Sequence, residues 1–104
     1  MVFIETPIFT QDCTALLSDH EYAAFQRELA ANPTAGDVIP DTGGLRKFRV
    51  SAKGKGKRGG ARVIYYYLHE ADQIRLSLIY AKAKVEDLTP AQKKVLRTIN
   101  RHWK

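Results

Sequence analysis

Four segments of the chain have the hydrophobic and polar residue patterns of β-strands. They are residues 2–5, 45–52, 62–68 and 74–81. The third segment is also rich in β-branched and aromatic residues, which fit the pleated surface of a sheet. The four residues 69–72 between the last two segments are a short polar tip, so we expect those segments to pair as a β-hairpin.

The alternation also predicts which side chains share a face of the sheet. In the second segment, Phe48 and Val50 fall on one face, while Lys47 and Arg49 fall on the other. The last segment has the pattern of one uninterrupted strand. Its two predicted faces are Ile74, Leu76, Leu78 and Tyr80 against Arg75, Ser77 and Ile79.

Two capping-box patterns predict the starts of α-helices. Ser18 is followed three residues later by Glu21, and Thr89 is followed by Gln92. Apolar residues at helical spacing follow each start, and the first of these helices is expected to end near residues 32–33. The apolar stripe of the terminal helix, expected to belong to the core, is Val95, Leu96, Ile99 and Trp103.

A further short helix over residues 8–17 completes the predicted order β-α-α-β-β-β-α. This order is typical of an α+β protein with a small antiparallel sheet and helices packed on one face. The glycine- and proline-containing segment 36–44 is expected to be a loop. A chain of 104 residues and 11.7 kDa has room for a single domain, residues 1–104.

The charge is divided unevenly between the two halves of the chain. Residues 1–41 hold seven acidic residues and one basic residue, whereas residues 42–104 hold sixteen basic residues and four acidic ones. The net charge of +6 is therefore the sum of an acidic first part and a strongly basic second part. A basic surface of this kind favours a polyanionic partner.

Composition argues against several other classes of protein. The longest apolar run, residues 63–68, is far shorter than the ~20 residues of a membrane span. The first residues lack a basic leader, so no signal peptide is expected. Cys13 is the single cysteine and is expected to pack as a small apolar side chain, and the three histidines are too widely spaced for a metal site. These features predict a cytoplasmic protein with no membrane association, no metal and no cofactor.

The most distinctive local feature is a basic, glycine-rich segment. Residues 46–62 contain eight basic residues, four glycines and no acidic residue. Glycine lets the backbone come close to a ligand and donate N–H groups to phosphate oxygens. The pattern is not a P-loop, because the GxxxxGK[ST] spacing is absent. It predicts a loop that binds phosphate groups. The alternative is a basic hairpin loop that is only solvated.

Arg62 begins the strand that follows this loop, and Lys82 follows the neighbouring strand. Antiparallel pairing would place both at the same end of the sheet, where they could form a cleft with the glycine loop. A strand-borne guanidinium can contact a phosphate in bidentate fashion. The cationic and aromatic residues expected to bind RNA around this cleft are Arg46, Lys47, Arg49, Lys53, Arg58, Tyr80 and Lys84.

The chain resembles a known family over nearly its whole length. The stretch GDVIPDTGGLRKFRVSAKGKGKRGGARVIYYYL, followed by LIYAK and DLT, is similar to the RelE/HigB superfamily of bacterial toxins, closest to its HigB-type branch. The resemblance implies a RelE-like fold and a metal-independent mRNA interferase that acts on mRNA at the ribosome. It also implies a partner, a helix-turn-helix antitoxin of the HigA type.

The resemblance further implies which residues act on RNA. Arg62, Lys82, Lys55 and Lys57 occupy the positions of the family's catalytic basic residues. Some members carry an active-site tyrosine after the last strand, where this chain has residues 85–88 without one. Either Tyr80 or another tyrosine of the sheet takes this role, or the role is missing.

Two other functions are compatible with the composition. A non-catalytic RNA- or DNA-binding module needs only the cationic surface, because phosphate contacts supply most of its affinity. A degenerate toxin-fold subunit could instead bind a protein partner through a sheet edge or a charged surface.

Overall fold

A computed structural model describes residues 1–52, 60–82 and 87–103 of the chain. The helices in these ranges are α1 (Pro7–Leu16), α2 (Asp19–Ala31) and α3 (Pro90–Arg101), and the strands are β1 (Val2–Glu5), β2 (Asp37–Val38), β3 (Arg46–Val50), β4 (Ala61–Leu68) and β5 (Gln73–Ala81). The predicted α+β class and element order are confirmed. The added element is β2, a two-residue strand within the segment expected to be a loop. None of the described helices is long and apolar enough to cross a membrane.

The strands form one five-stranded sheet in the order β1-β5-β4-β3-β2. The three strands β3, β4 and β5 pair antiparallel with their sequence neighbours, as expected of a meander. Strand β1 pairs with β5 in parallel at the far edge, so the sheet is mixed rather than purely antiparallel. The hairpin between β4 and β5 turns through a single 3₁₀ turn at His69–Ala71, with Asp72 in the left-handed region at φ 49°.

Both predicted capping boxes are present. The Ser18 hydroxyl accepts a hydrogen bond from the Glu21 backbone N–H, and the Glu21 carboxylate accepts one from the Ser18 N–H. Thr89 and Gln92 form the same reciprocal pair at the start of α3. These local bonds satisfy backbone donors that a helix leaves unpaired, which is why the helix starts could be read from sequence.

The sheet separates two hydrophobic clusters. Helices α1 and α2 pack on one face, where Phe9, Phe25 and Leu29 are fully buried or nearly so. Helix α3 contributes Leu96 to a smaller cluster with Ile64, on the opposite face. The structure therefore divides the helices between the two faces of the sheet, where the sequence pattern grouped them on one.

The prediction for the faces of β5 was wrong, because the strand contains a β-bulge. Leu78 pairs with Ile64, whereas Leu76 pairs with the next residue, Tyr65, so Ser77 is an extra residue in β5. Beyond the bulge the alternation is reversed. Ile74, Leu76 and Ile79 belong to the cluster under α1 and α2, while Leu78 and Tyr80 pack in the cluster on the α3 side.

The prediction that the whole apolar stripe of the terminal helix is core was also wrong. Val95 is 57% exposed and Ile99 is 47% exposed. The helix is rotated so that Leu96 and Asn100, one turn apart, are its more buried positions. Trp103 beyond its end is half-buried.

Tyr65 fixes the connection between α2 and β2. Its hydroxyl donates to the Pro33 carbonyl at 2.8 Å and accepts from the Gly36 N–H at 3.0 Å, while its ring is fully buried. A Cβ at Gly36 would lie 2.8 Å from the Tyr65 ring and 2.9 Å from the Lys47 carbonyl oxygen. Glycine is therefore needed at position 36 for this close approach.

We expect Tyr65→Phe to lower the free energy of unfolding by about 1–3 kcal/mol, because it leaves a buried N–H and a carbonyl without their partner. Tyr67→Phe is the matched control, since the half-buried Tyr67 hydroxyl has no hydrogen bond within the described part of the chain. Urea denaturation followed by circular dichroism measures both. Equal effects in the two variants would contradict the anchoring role of Tyr65.

Cys13 lies in the core as expected, on the buried side of α1. Burial, together with the nearby Glu5 carboxylate, raises the pKa of its thiol from 9.0 to about 11. The folded state thus holds this proton more tightly than the unfolded state. The corresponding contribution to stability is complete below about pH 9 and is lost as the pH rises through 11.

We therefore expect iodoacetamide to label Cys13 slowly in the folded protein at pH 8, with a rate that rises up to about pH 11. The control is an exposed thiol, Ala30→Cys in a Cys13→Ala background, because Ala30 is a solvent-facing position of α2. Mass spectrometry of the labelled protein gives both rates. Similar labelling rates at pH 8 would contradict a buried, protonated thiol.

Candidate nucleic-acid interface

The ends of the central strands meet at one end of the sheet. Val50 pairs with Ala61, and Ala61 pairs with Ala81. The Lys82 backbone N–H donates to the Gly60 carbonyl at 3.1 Å, which extends this pairing by one residue. The expected placement of Arg62 and Lys82 at the same end of adjacent strands is confirmed, and β3 ends and β4 begins at this end of the sheet.

Three of the predicted site residues form a row across the sheet, which we call the Arg62 row. Arg62 on β4 is the direct cross-strand partner of Arg49 on β3 and of Tyr80 on β5. Direct partners in antiparallel pairs project from the same face of a sheet. The Arg62 row therefore lies on the face opposite α1 and α2.

The Arg62 row concentrates positive charge in a partly desolvated place. Arg49 is exposed, whereas Arg62 is only 4% exposed. Like charges in direct cross-strand positions repel each other. A phosphate placed beside the two guanidinium groups would reduce the repulsion and could accept bidentate hydrogen bonds.

Tyr80 ends the row with a buried hydroxyl group. Its Oη is buried and makes no hydrogen bond within the described ranges of the chain. Burial raises the pKa of Tyr80, Asp87 raises it further, and the Arg62 charge acts in the opposite direction. The phenol is thus protonated at neutral pH and can donate a hydrogen bond to a ligand oxygen.

A cleft of about 190 Å³ opens beside Tyr80, between β2, β3 and the start of α3. Its charged lining consists of Lys47 and Lys93 together with Asp37 and Asp87. Lys47 Nζ lies 3.4 Å from Asp87 Oδ1, and the Asp87 side chain is 83% exposed. Such a solvent-exposed ion pair is weak, so a phosphate could replace Asp87 as the partner of Lys47.

The structure brings some of the expected RNA-binding residues together and leaves another apart. Lys47 and Arg49 lie on the face of the Arg62 row, as the alternation predicted. Arg46 lies on the opposite face, where its Nη1 donates to the carbonyls of Thr34 and Gly36 at 3.1 and 2.8 Å. In the structure Arg46 therefore supports the segment before β2, apart from the Arg62 row. The predicted site residues Lys53, Lys55, Lys57, Arg58 and Lys84 lie outside the described residues.

Sequence reasoning missed the acidic and basic neighbours of Tyr80. Lys93, Asp37 and Asp87 come from three separate parts of the chain and meet only in the folded cleft. The one available signal was the DLT sequence, in which Asp87 precedes the cap of α3. Among the described residues, no group of three or more His, Cys, Asp or Glu side chains could hold a metal ion.

A scan of the sequence against models of known protein families finds no match.

We expect Tyr80→Phe to leave the free energy of unfolding unchanged or to raise it by about 1 kcal/mol, because it removes a buried hydroxyl without a partner. Tyr22→Phe is the control, since the Tyr22 hydroxyl donates to the Glu5 carboxylate and its loss is destabilising. Thermal unfolding of both variants tests this difference. Clear destabilisation by Tyr80→Phe would mean that the hydroxyl is already satisfied in the free protein.

Proposed function

We propose that the protein is an endoribonuclease that cuts mRNA on the ribosome and so inhibits translation. The observation that carries this proposal is the Arg62 row, which places two arginines and a tyrosine with a protonated phenol directly opposite one another on three neighbouring strands. The sequence resemblance to RelE/HigB toxins is the reason for proposing mRNA as the substrate and the ribosome as the place of cleavage. Together they favour phosphodiester cleavage over binding alone.

The proposed reaction uses the 2′-hydroxyl of the RNA as its nucleophile. The 2′-oxygen forms a bond to phosphorus while the bond from phosphorus to the 5′-oxygen breaks. The proton of the 2′-hydroxyl passes to a basic group, and the leaving 5′-oxygen takes up a proton. The products are a 2′,3′-cyclic phosphate and a 5′-hydroxyl end.

Each residue of the site suits one part of this reaction. Arg62 would stabilise the charge that grows on the phosphoryl oxygens, and Arg49 would hold the adjacent phosphate. The protonated Tyr80 hydroxyl would donate to a phosphoryl oxygen. Lys82 is placed at the same strand end, and by the family resemblance it shares proton transfer with Lys55 and Lys57.

The proposed cellular setting follows from the same resemblance. The protein would act in the cytoplasm as the toxin of a toxin–antitoxin pair. Its partner would be a helix-turn-helix antitoxin of the HigA type, encoded beside it. The basic surface around the Arg62 row is suited to an acidic segment of such a partner as well as to RNA.

We expect Arg62→Ala to lower the rate of mRNA cleavage by about 10²–10³-fold, because one preorganised donor to the reacting phosphate is lost. Arg62→Lys keeps the positive charge but lacks the planar guanidinium group with its two parallel donors. Its cleavage rate should therefore lie between those of the unsubstituted protein and Arg62→Ala. The assay combines purified ribosomes with a translated mRNA and maps the cut ends by primer extension. Growth arrest on induction in bacteria is the matching readout in cells.

Arg27→Ala is the matched control for this experiment. It removes one positive charge from an exposed position of α2, on the opposite side of the sheet. Its cleavage rate should equal that of the unsubstituted protein. RNA that is bound but stays intact, with ribosomes present, would refute the nuclease and support the non-catalytic binding module. Full activity of a folded Arg62→Ala variant would remove Arg62 from the mechanism.

A further inference from the structure

A second pocket lies at the other end of the face that carries the Arg62 row. It has a volume of about 390 Å³ and is enclosed by the end of β4, the start of β5 and the last turns of α3. Its functional lining residues are Tyr66, Arg75, Arg97, Asn100, Arg101 and Trp103. We call it the arginine pocket. Tyr66 is four residues beyond Arg62 on the same strand, so the two sites are separate.

Three arginines give this pocket a strong positive charge. Arg97 and Arg101 are one turn apart on α3, and Arg75 projects from β5. None of the residues that line the pocket is acidic. Arg97 donates to the backbone carbonyl of Asp41 at 3.0 Å, which is a neutral acceptor. An anion in the pocket would therefore meet positive charges that no lining carboxylate neutralises.

Arg75 also organises the aromatic wall of the pocket. The guanidinium carbon of Arg75 lies 5.8 Å from the ring centre of Tyr66 and 5.6 Å from that of Trp103. Its Nε donates to the Gln73 side chain at 2.9 Å, and its Nη1 donates to the backbone carbonyl of Asn100 at 3.4 Å. These contacts hold Trp103 at the pocket and fix the position of the guanidinium.

The polar group that defines the ligand is the side chain of Asn100. Asn100 is only 9% exposed, and its Oδ1 is buried without a hydrogen-bond partner within the described residues. An unsatisfied buried acceptor is costly, and Asn100 is one of the residues that line the pocket. An amide oxygen can be satisfied only by a donor, which a fully ionised phosphate does not offer. The pocket thus calls for a ligand that carries both an anionic group and a hydrogen-bond donor.

We propose that the arginine pocket binds a nucleotide whose base carries an amino group. The phosphate would lie between Arg97 and Arg101, the base would lie against Trp103, and its amino group would donate to Asn100 Oδ1. Arginine and tryptophan are suited to phosphate recognition and to stacking on a base, respectively. The nucleotide is either a free mononucleotide or one unit of an RNA strand. This proposal does not rest on the nuclease activity.

The test is calorimetric titration of the full chain with adenosine 5′-monophosphate, adenosine, inorganic phosphate and a short oligoadenylate. We expect the mononucleotide to bind at least about tenfold more tightly than phosphate or adenosine alone, because it makes both sets of contacts. Arg101→Ala should weaken its binding by about tenfold. Lys94→Ala is the matched control, because Lys94 is an exposed residue of α3 outside the pocket, and it should have no such effect.

A second variant tests the role of the buried amide. Asn100→Asp keeps the shape of the side chain but adds a negative charge, so we expect it to abolish nucleotide binding. If oligoadenylate binds much more tightly than the mononucleotide, the ligand of the pocket is one unit of an RNA strand. Similar affinities would identify the ligand as a free nucleotide. Either result supports nucleotide binding in the arginine pocket, provided that Arg101→Ala weakens the binding of the ligand concerned.

Several results would overturn the proposal. Phosphate that binds as tightly as the mononucleotide would mean a simple anion site, and equal losses in Arg101→Ala and Lys94→Ala would mean non-specific attraction. An acidic peptide such as hexaglutamate that binds more tightly than any nucleotide would assign the pocket to a protein partner. Arg62→Ala separates the two sites. Its nucleotide binding should be unchanged even if the nuclease proposal fails, and loss of binding would place the nucleotide at the Arg62 row instead.

Discussion

The β-bulge at Ser77 is the constraint on which the arrangement of this protein depends. It lets the first half of β5 turn Ile74 and Leu76 toward α1 and α2, and the second half turn Tyr80 toward the opposite face. The bulge is held from outside the strand. The Thr6 N–H donates to the Leu76 carbonyl at 3.1 Å, and the Thr6 hydroxyl donates to the Ser77 carbonyl at 2.9 Å. Because Thr6 also caps α1, the helix start and the irregular strand are fixed together.

The parts of the fold that could be predicted are those encoded by neighbouring residues. The capping boxes at Ser18 and Thr89 need residues only three positions apart, so their signal is complete within the sequence. The same is true of β3, where Phe48 and Val50 alternate with Lys47 and Arg49 in a regular strand. The placement of Arg62 and Lys82 followed from these regular pairings, and it required no knowledge of the bulge.

The parts that could not be predicted depend on contacts between distant residues. A bulge reverses the faces of the strand beyond it, but the sequence of β5 does not mark where the extra residue lies, so nothing in β5 alone distinguishes Leu76 from Leu78. The rotation of α3 is likewise associated with long-range contacts, such as that of Arg97 with the Asp41 carbonyl. For this reason Val95 is exposed and Asn100 is buried, the reverse of what their polarity suggests. The pairing of Tyr80 with Arg62 and the contacts of Arg75 with Tyr66 and Trp103 also depend on residues that are distant in the sequence.

The division of the helices between the two faces has an electrostatic consequence. Helices α1 and α2 come from the acidic part of the sequence, whereas the Arg62 row and the arginines of α3 lie on the other side of the sheet. The molecule is therefore a dipole whose axis runs through the sheet. In the field of a polyanion such a dipole experiences a torque as well as an attraction. The protein would turn its basic face toward the polyanion before the first contact, because the basic face is attracted and the acidic helices are repelled.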